Sequence, residues 1–507
     1  MPVQDPAAAL ERTDPIYVTF DRLTRALLGA AVALTTAGLT IVTFAHLDDR
    51  YMVNHVSGSW LALAQDLRRG IYYPAFFDGS QYGGTRYMPF PILVNGGAAA
   101  VFNDYLLSGK LVALVLAIAA VLLTYALLRQ SAAPPRLLAA GLVAAAVVTP
   151  TTTLALWSIR GDSLSVVVAL GALVGVRRSE RAPALIVAGL LCSAAAASKL
   201  SALWAPLAIG LWLVGRRNSR GAVTFGSAFL GGLAAVVAAV ELATRGRFLH
   251  DVFGLTFAGS GSAALGPAAT VRHLAWLAVI KQNSVWYLVP VAVAVIFVAL
   301  VHRRLTLVQL ALCCSGLSLL VVLRDVGADY NHLLDATLLV AVVVGEGVAR
   351  SGRWRNLLLP ACSLVVVVGL AISFHHVLQG PLLNVVQGRV ARSTVSRRPL
   401  NDLIGERSVI LSEDPTIPVL LGQRPLVEDP FLLARIGQQR PDLLRALTRR
   451  IRSHSFEAVI LLRPLADTRH FAVLDFGSRL RSLLVANYRL EQVRDGGTET
   501  YWVYRPR

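Results

Sequence analysis

Charge is what this sequence lacks. Only 15% of its 507 residues are Asp, Glu, Lys or Arg, against about a quarter in an average soluble domain. With 55% hydrophobic residues and a mean hydropathy of +0.59, that deficit excludes a soluble enzyme of this size and indicates a multi-spanning membrane protein. Cysteine is scarce as well. Cys192, Cys313, Cys314 and Cys362 all fall in apolar runs, which predicts no disulfide framework, zinc site or redox centre. A cleavable signal pattern, a glycine-rich phosphate cradle, a nucleophile elbow and a metalloprotease helix motif are absent too.

The charge that is present is mostly basic, with a net charge of +18. It sits in short clusters between apolar runs, at Arg177, Arg178 and Arg181, at Arg216, Arg217 and Arg220, at Arg303 and Arg304, and at Arg350, Arg353 and Arg355. This is the positive-inside pattern of cytoplasmic loops, and it argues against a nucleic-acid partner.

Residues 1–24 are polar and read as a cytoplasmic segment, followed by a membrane module over 25–376. The first span runs from about Ala26 to Ala45, with Arg12, Arg22 and Arg25 before it and His46, Asp48 and Asp49 emerging outside. The first external loop is 46–106. Within it the run at 89–104 is read as a short or re-entrant helix, because Pro89, Pro91, Gly96 and Gly97 interrupt it and because a full crossing there would put every later basic cluster outside. Further spans are expected at 107–128, 137–156, 162–176, 183–198, 200–215, 221–243, 276–301, 305–323, 332–349 and 357–376, for about eleven crossings. Residues 377–507 change character, with charged residues, prolines and β-like runs at 408–411, 458–462 and 500–504. They predict a soluble α/β domain, placed outside the cytoplasm by the odd number of crossings.

Ionisable residues at membrane depth are costly, so those retained are functional candidates. They gather on the external side: Asp48, Asp49, His55, Arg160, Asp162, Lys199, Lys281, Arg324, Asp325, Asp329, Asn331, His332 and Asp335. A carboxylate just after the first span is suited to take a proton from an acceptor hydroxyl. On position alone, Asp48 and Asp49 equally suit caps of the helix that follows, and as a pair they suit a divalent metal, the less favoured reading.

The Asp48-Asp49 pair, the Gly70-Ile71-Tyr72-Tyr73-Pro74 turn and the Arg86-Tyr87-Met88-Pro89 approach to the short helix resemble the first external loop of the GT-C class. These are polytopic glycosyltransferases that use polyprenyl-phosphate sugars. Arg160-Gly161-Asp162, Ser198-Lys199 ahead of Trp204-Ala205-Pro206, and Asp329-Tyr330-Asn331-His332 resemble other recurring positions of the class. The resemblance covers roughly 26–350 and is nearest to the bacterial mannosyl, aminoarabinose and arabinofuranosyl transferase group. It implies an inverting displacement at the anomeric carbon, with Asp48 as base, Asp49 as its alternative and Asp162 as a second acid. It also marks Arg86, Tyr87 and Tyr330 as substrate-binding.

A leaving phosphate gathers negative charge, so Lys199, Arg160, His332 and Asn331 are the candidates to hold it. Lys281 and Arg324 are weaker candidates, and plain anchoring or capping roles remain open for each of these residues. The expected partners are a polyprenyl-phosphate-linked sugar, a glycan, lipid or protein acceptor of a bacterial cell envelope, and membrane lipid, with no cofactor. Two other readings are a transporter or lipid-linked-sugar flippase, against which the chain shows no pseudo-symmetric halves, and a membrane-anchored scaffold.

Overall fold

A computed structural model describes residues 15–131, 134–255, 265–281, 285–325, 328–388, 409–473, 476–495 and 500–507. Five helices among them are long and apolar enough to cross a membrane: Thr19–Ala45, Tyr105–Ser131, Ser219–Ala243, Tyr330–Arg350 and Arg355–Val386. Shorter apolar helices fill the bundle between them, at Arg136–Val147, Ala182–Ala196, Leu200–Gly215, Trp286–Val301 and Leu307–Val322. The protein is a helical polytopic membrane protein with a small C-terminal α/β domain.

The centre of the bundle is the helix Leu334–Arg350, buried from Thr337 to Glu346 against Leu138, Leu142, Leu170 and Leu288. Outer helices turn Leu, Val and Phe outward, as a lipid-facing surface requires: Leu34, Val115, Leu230, Phe297 and Val321 are all exposed. Small residues set the close contacts. A Cβ at Gly189 would lie 2.8 Å from the Phe225 carbonyl oxygen, so the helices Ala182–Ala196 and Ser219–Ala243 pack at backbone distance. The fully buried Glu346 accepts a hydrogen bond from the Thr306 hydroxyl at 2.7 Å and lies 3.9 Å from the Arg177 guanidinium, near the end of its helix.

Three expected elements differ. The span expected at 137–156 is two helices, Arg136–Val147 and Pro150–Trp157, because Pro150 has no N–H to continue the first. The Thr149 side chain caps the second by accepting from the Thr152 N–H. The span expected at 276–301 is likewise two elements, Pro267–Lys281 and the segment Trp286–Val301, with 282–284 outside the described residues. The last helix continues through Val386, because nothing in the apolar run around Phe374–Leu378 breaks it; a π-helical turn carries it on.

In the terminal domain a four-stranded sheet has the order β1-β2-β4-β3, with β1 Ile410–Ser412, β2 Ala458–Leu461, β3 Tyr488–Asp495 and β4 Thr500–Pro506. β1 and β2 are parallel and are joined by helices, while β4 is antiparallel to both β2 and β3. β3, rich in Arg, Glu and Gln, has too little apolar alternation to be read from the sequence.

The first external loop is built into this domain. Tyr82 lies within its apolar core, its hydroxyl donating to the Leu443 carbonyl at 2.9 Å and accepting from the Leu447 N–H at 3.1 Å. Tyr82 also bridges to Val427 by backbone pairing. Two arginines, Arg50 buried and Arg424 partly so, add to the joint. Arg50 pairs with Asp414 at 2.9 Å and contacts the Tyr501 hydroxyl. Arg424 grips Asp66 through two hydrogen bonds of 2.7 and 2.6 Å.

Candidate active site

Four stretches distant in sequence converge at the end of the bundle that carries the first loop and the terminal domain. The first is the turn at 158–162. It needs glycine at 161, where a Cβ would lie 2.9 Å from Pro91 and 3.2 Å from Trp60. That close approach puts Asp162 in the first turn of the helix Asp162–Arg178, where a carboxylate suits the helix dipole. The second is the turn after Ala182–Ala196, where Lys199 adopts an extended conformation before the 3-10 turn Leu200–Leu203. The third is the 3-10 turn Tyr330–Leu333, started by the Asp329 side chain accepting from the Tyr330 N–H at 2.7 Å. The fourth is the first-loop stretch Thr85–Pro89.

The Lys199 ammonium contacts Asp162 Oδ1, and the Asn331 side-chain amide donates to the same oxygen at 3.0 Å. Arg160 and His332 lie in the electrostatic field of this pair. Arg160 forms no hydrogen bond or ion pair among the described residues, and its Nε is buried. In the same cluster His332 Nδ1 is a buried atom without a hydrogen-bond partner, and the Trp204 indole faces the Asp335 carboxyl. Asp335 follows Asn331 by one helical turn, so the two project from the same face. The cluster thus holds two cations, Lys199 and Arg160, with the His332 imidazole and the Asn331 amide around Asp162, which suits a polar, anionic ligand.

The tyrosines of the resemblance have a structural part in this. Tyr73, buried at a positive φ of 57°, donates its hydroxyl to the Tyr87 carbonyl at 2.7 Å. Tyr87 stacks on Trp60 with ring centroids 4.3 Å apart, and its phenol sits between Asp429 and the Arg86 and Arg160 guanidinium groups. Burial, followed by the Asp429 charge, pushes that phenol up to about 12. The Phe90 N–H donates to the Ala197 carbonyl at 3.1 Å, so the short helix Pro89–Phe102 is tied directly to the Lys199 turn.

Arg86, Tyr87, Arg160, Asp162, Lys199, Asn331 and His332 therefore share one site. The first-loop acids form a separate group. Asp49 accepts from the Tyr51 N–H at 2.7 Å and lies 2.5 Å from His46 Nδ1. Lys110 is near it and bonds to the Tyr51 carbonyl. Asp48 is exposed and makes no side-chain hydrogen bond or ion pair among the described residues. Neither acid contacts Asp162 among the described residues. Tyr330 packs with Trp286 on an apolar cluster around Leu277 and Leu323, and Arg324 is exposed. The Lys281 side chain lies outside the described residues.

Sequence reasoning missed Lys110, a single cation inside an apolar run with no local pattern to single it out. For Asp429, ahead of Pro430, the sequence favours a helix cap, with acceptor binding as the lesser reading. Asp429 does cap Pro430–Gln439, accepting from the Leu432 N–H at 2.9 Å. Its other oxygen lies 3.9 Å from Arg86 Nε. No three His, Cys, Asp or Glu side chains gather as a metal-binding set among the described residues.

This architecture, a helical bundle with a loop-and-domain cap over a charged site at one end, is the GT-C-like fold. No protein-family model matches the chain, and no curated protein is similar to it in sequence. Solved structures are similar in fold. ArnT from Cupriavidus metallidurans bound to undecaprenyl phosphate gives a TM-score of 0.59 at 12% identity, covering 93% of this chain and 97% of that one. Its apo state gives 0.55 at 12% identity over the same shares. The oligosaccharyltransferase from Archaeoglobus fulgidus in the apo form gives 0.53 at 10% identity, covering 94% of this chain and 74% of that one.

Proposed function

We propose that the protein is a membrane glycosyltransferase that moves a sugar from a polyprenyl-phosphate carrier to a cell-envelope acceptor on the extracytoplasmic face of a bacterial plasma membrane. Its N-terminus is cytoplasmic in this reading, and its terminal domain lies outside. The observation that carries the proposal is the convergence of Lys199, Arg160, His332 and Asn331 around Asp162, within a fold similar to a protein solved with undecaprenyl phosphate bound.

In this reading the acceptor hydroxyl oxygen attacks the anomeric carbon from the face opposite the carrier, and the bond from that carbon to the phosphate oxygen breaks. The hydroxyl proton passes to Asp48, whose exposed carboxylate has its lone pairs free, or to Asp49 as the alternative. The departing phosphate gathers charge, which Lys199 and Arg160 neutralise while Asn331 and His332 offer hydrogen bonds. Interactions that strengthen as charge develops lower the barrier. Side-chain cations do here the work that a divalent ion does in other phosphate chemistry, so the reaction is expected to proceed in EDTA.

Equilibrium binding of radiolabelled polyprenyl phosphate to the detergent-solubilised protein tests this assignment. Lys199→Met and Arg160→Gln should each weaken binding about tenfold or more, the loss expected for a charge-assisted hydrogen bond. Equal binding by the wild type and both variants would overturn it.

A further inference from the structure

The helix Pro430–Gln439 of the terminal domain brings a second set of side chains to the edge of the site. Phe431, in its first turn, has the Arg86 guanidinium 4.7 Å from its ring centroid and the Arg435 guanidinium 5.1 Å from it. Two like charges thus bracket one ring within about a Debye length of each other. Two acids answer part of this charge at Arg86. Asp429 is 8% exposed, spends one oxygen on the Leu432 N–H, and holds the other 3.9 Å from Arg86 Nε, beyond hydrogen-bonding distance. Asp325 contributes only a field at Arg86. Arg435 forms no hydrogen bond or ion pair among the described residues, and the Nε atoms of both arginines are buried without partners.

Guanidinium groups are weakly hydrated, stack on rings and present a flat fork of donors. Arg86 also reaches the Tyr87 phenol, but neither guanidinium is held by a carboxylate hydrogen bond, and an arrangement that stacks two of them so is stabilised when an anion bridges them. We propose that Arg86 and Arg435, held by Phe431, form an anion-binding subsite shared between the first external loop and the terminal domain. Its ligand is a phosphate or carboxylate group of a substrate, and the terminal domain is one wall of the site. The proposal rests on the transferase reading only for the identity of that substrate. The anion belongs either to the carrier or to the acceptor.

The test uses the full-length protein in detergent, with Arg435→Gln, Arg435→Lys and Phe431→Leu. The first probe is inorganic phosphate, followed by calorimetry. Arg435→Gln should weaken its binding about tenfold, Phe431→Leu should weaken it less, and Arg435→Lys should retain part of it. In transfer assays, a rise in KM for acceptor alone assigns the anion to the acceptor, and a rise for carrier alone assigns it to the carrier. Unchanged phosphate affinity and both KM values within twofold in Arg435→Gln would overturn the subsite and leave the stack a purely structural contact, even if the wild type transfers sugar. Arg435-dependent phosphate binding by a protein that transfers no sugar would uphold the subsite while the transferase reading fails.

Discussion

Replacing Arg424 with glutamine should loosen the terminal domain from the bundle, and the cost can be worked from its surroundings. Arg424 holds both oxygens of Asp66, at 2.7 and 2.6 Å, and lies 3.1 Å from Glu428 and from Asp78. Asp66 and Glu428 are each 1% exposed, whereas Asp78 is partly in solvent, where a pair is worth about 1 kcal/mol or less. The dominant loss is therefore the single cation shared by two buried carboxylates. Removing one partner of a buried pair costs roughly 3–5 kcal/mol, because the other charge stays behind without compensation. That corresponds to roughly a hundred- to several-thousand-fold in the docking equilibrium.

The cost should depend on pH. Burial, followed by the charge of Asp66, pushes Glu428 well above the usual carboxylate range. A folded-state value raised above the unfolded one means that the folded protein holds the extra proton. Stability is then fully present below the unfolded value and is lost as pH rises through the folded one. Without Arg424 nothing opposes this shift, so Arg424→Gln should be nearest to the wild type at pH 5 and furthest from it at pH 8. Hydrogen exchange of the His55–Arg68 amides, with thermal unfolding in detergent at both pH values, reads the effect. Arg424→Lys should recover only part of the loss, since a point charge cannot reproduce the two-pronged contact. A variant within 1 kcal/mol of the wild type at pH 8, or less stable at pH 5 than at pH 8, would refute the reasoning.

Tyr82→Phe removes a hydroxyl that satisfies a buried N–H and a buried carbonyl, so denaturant unfolding of the terminal domain should show a loss of about 1–3 kcal/mol; a change below 0.3 kcal/mol, of the order expected for an exposed site, would contradict it. Burial raises the Asp251 carboxyl to about 6, so the segment around Phe248–Leu255 should be best protected below pH 4 and lose protection as pH rises through 6. Asp251→Asn should abolish that pH dependence, and a variant with the wild-type profile would show that another group titrates. Gly161→Leu forces a side chain into Trp60 and Pro91 and should displace Asp162 enough to cut polyprenyl-phosphate binding about tenfold or more. Unaltered binding would mean that this turn does not position the site.

Much of the fold's frame can be read locally. Apolar runs bounded by arginine, proline and glycine locate the bundle helices, and Pro89 and Pro91 mark the short helix that leads to the Lys199 turn. The grouping of Arg160, Asp162, Lys199, Asn331 and His332 is legible because each is a polar residue at the end of an apolar run, where its retention is costly. What is not legible depends on pairings between distant parts of the chain. Asp66 and Arg424 are 358 positions apart, and no periodicity within either segment announces their contact. The same holds for Arg86 with Asp429 and Phe431: a side chain that caps its own helix gives no local sign that its second oxygen faces another element. The break at Pro150 is visible in sequence but is outweighed by the hydropathy of the run on both sides.

Sugar transfer itself tests the central claim most directly. The measurement is the rate at which vesicles carrying the purified protein move radiolabelled sugar from a panel of polyprenyl-phosphate donors to native cell-envelope acceptor, for the wild type and for folded Asp48→Asn and Asp49→Asn variants. The account predicts transfer from at least one donor and a loss of about a hundredfold or more in one of the two variants, the scale of general-base catalysis. Transfer that survives both substitutions would remove the first-loop acid from the mechanism. No transfer from any donor by the folded wild type, with carrier crossing the bilayer instead, would contradict the account as a whole.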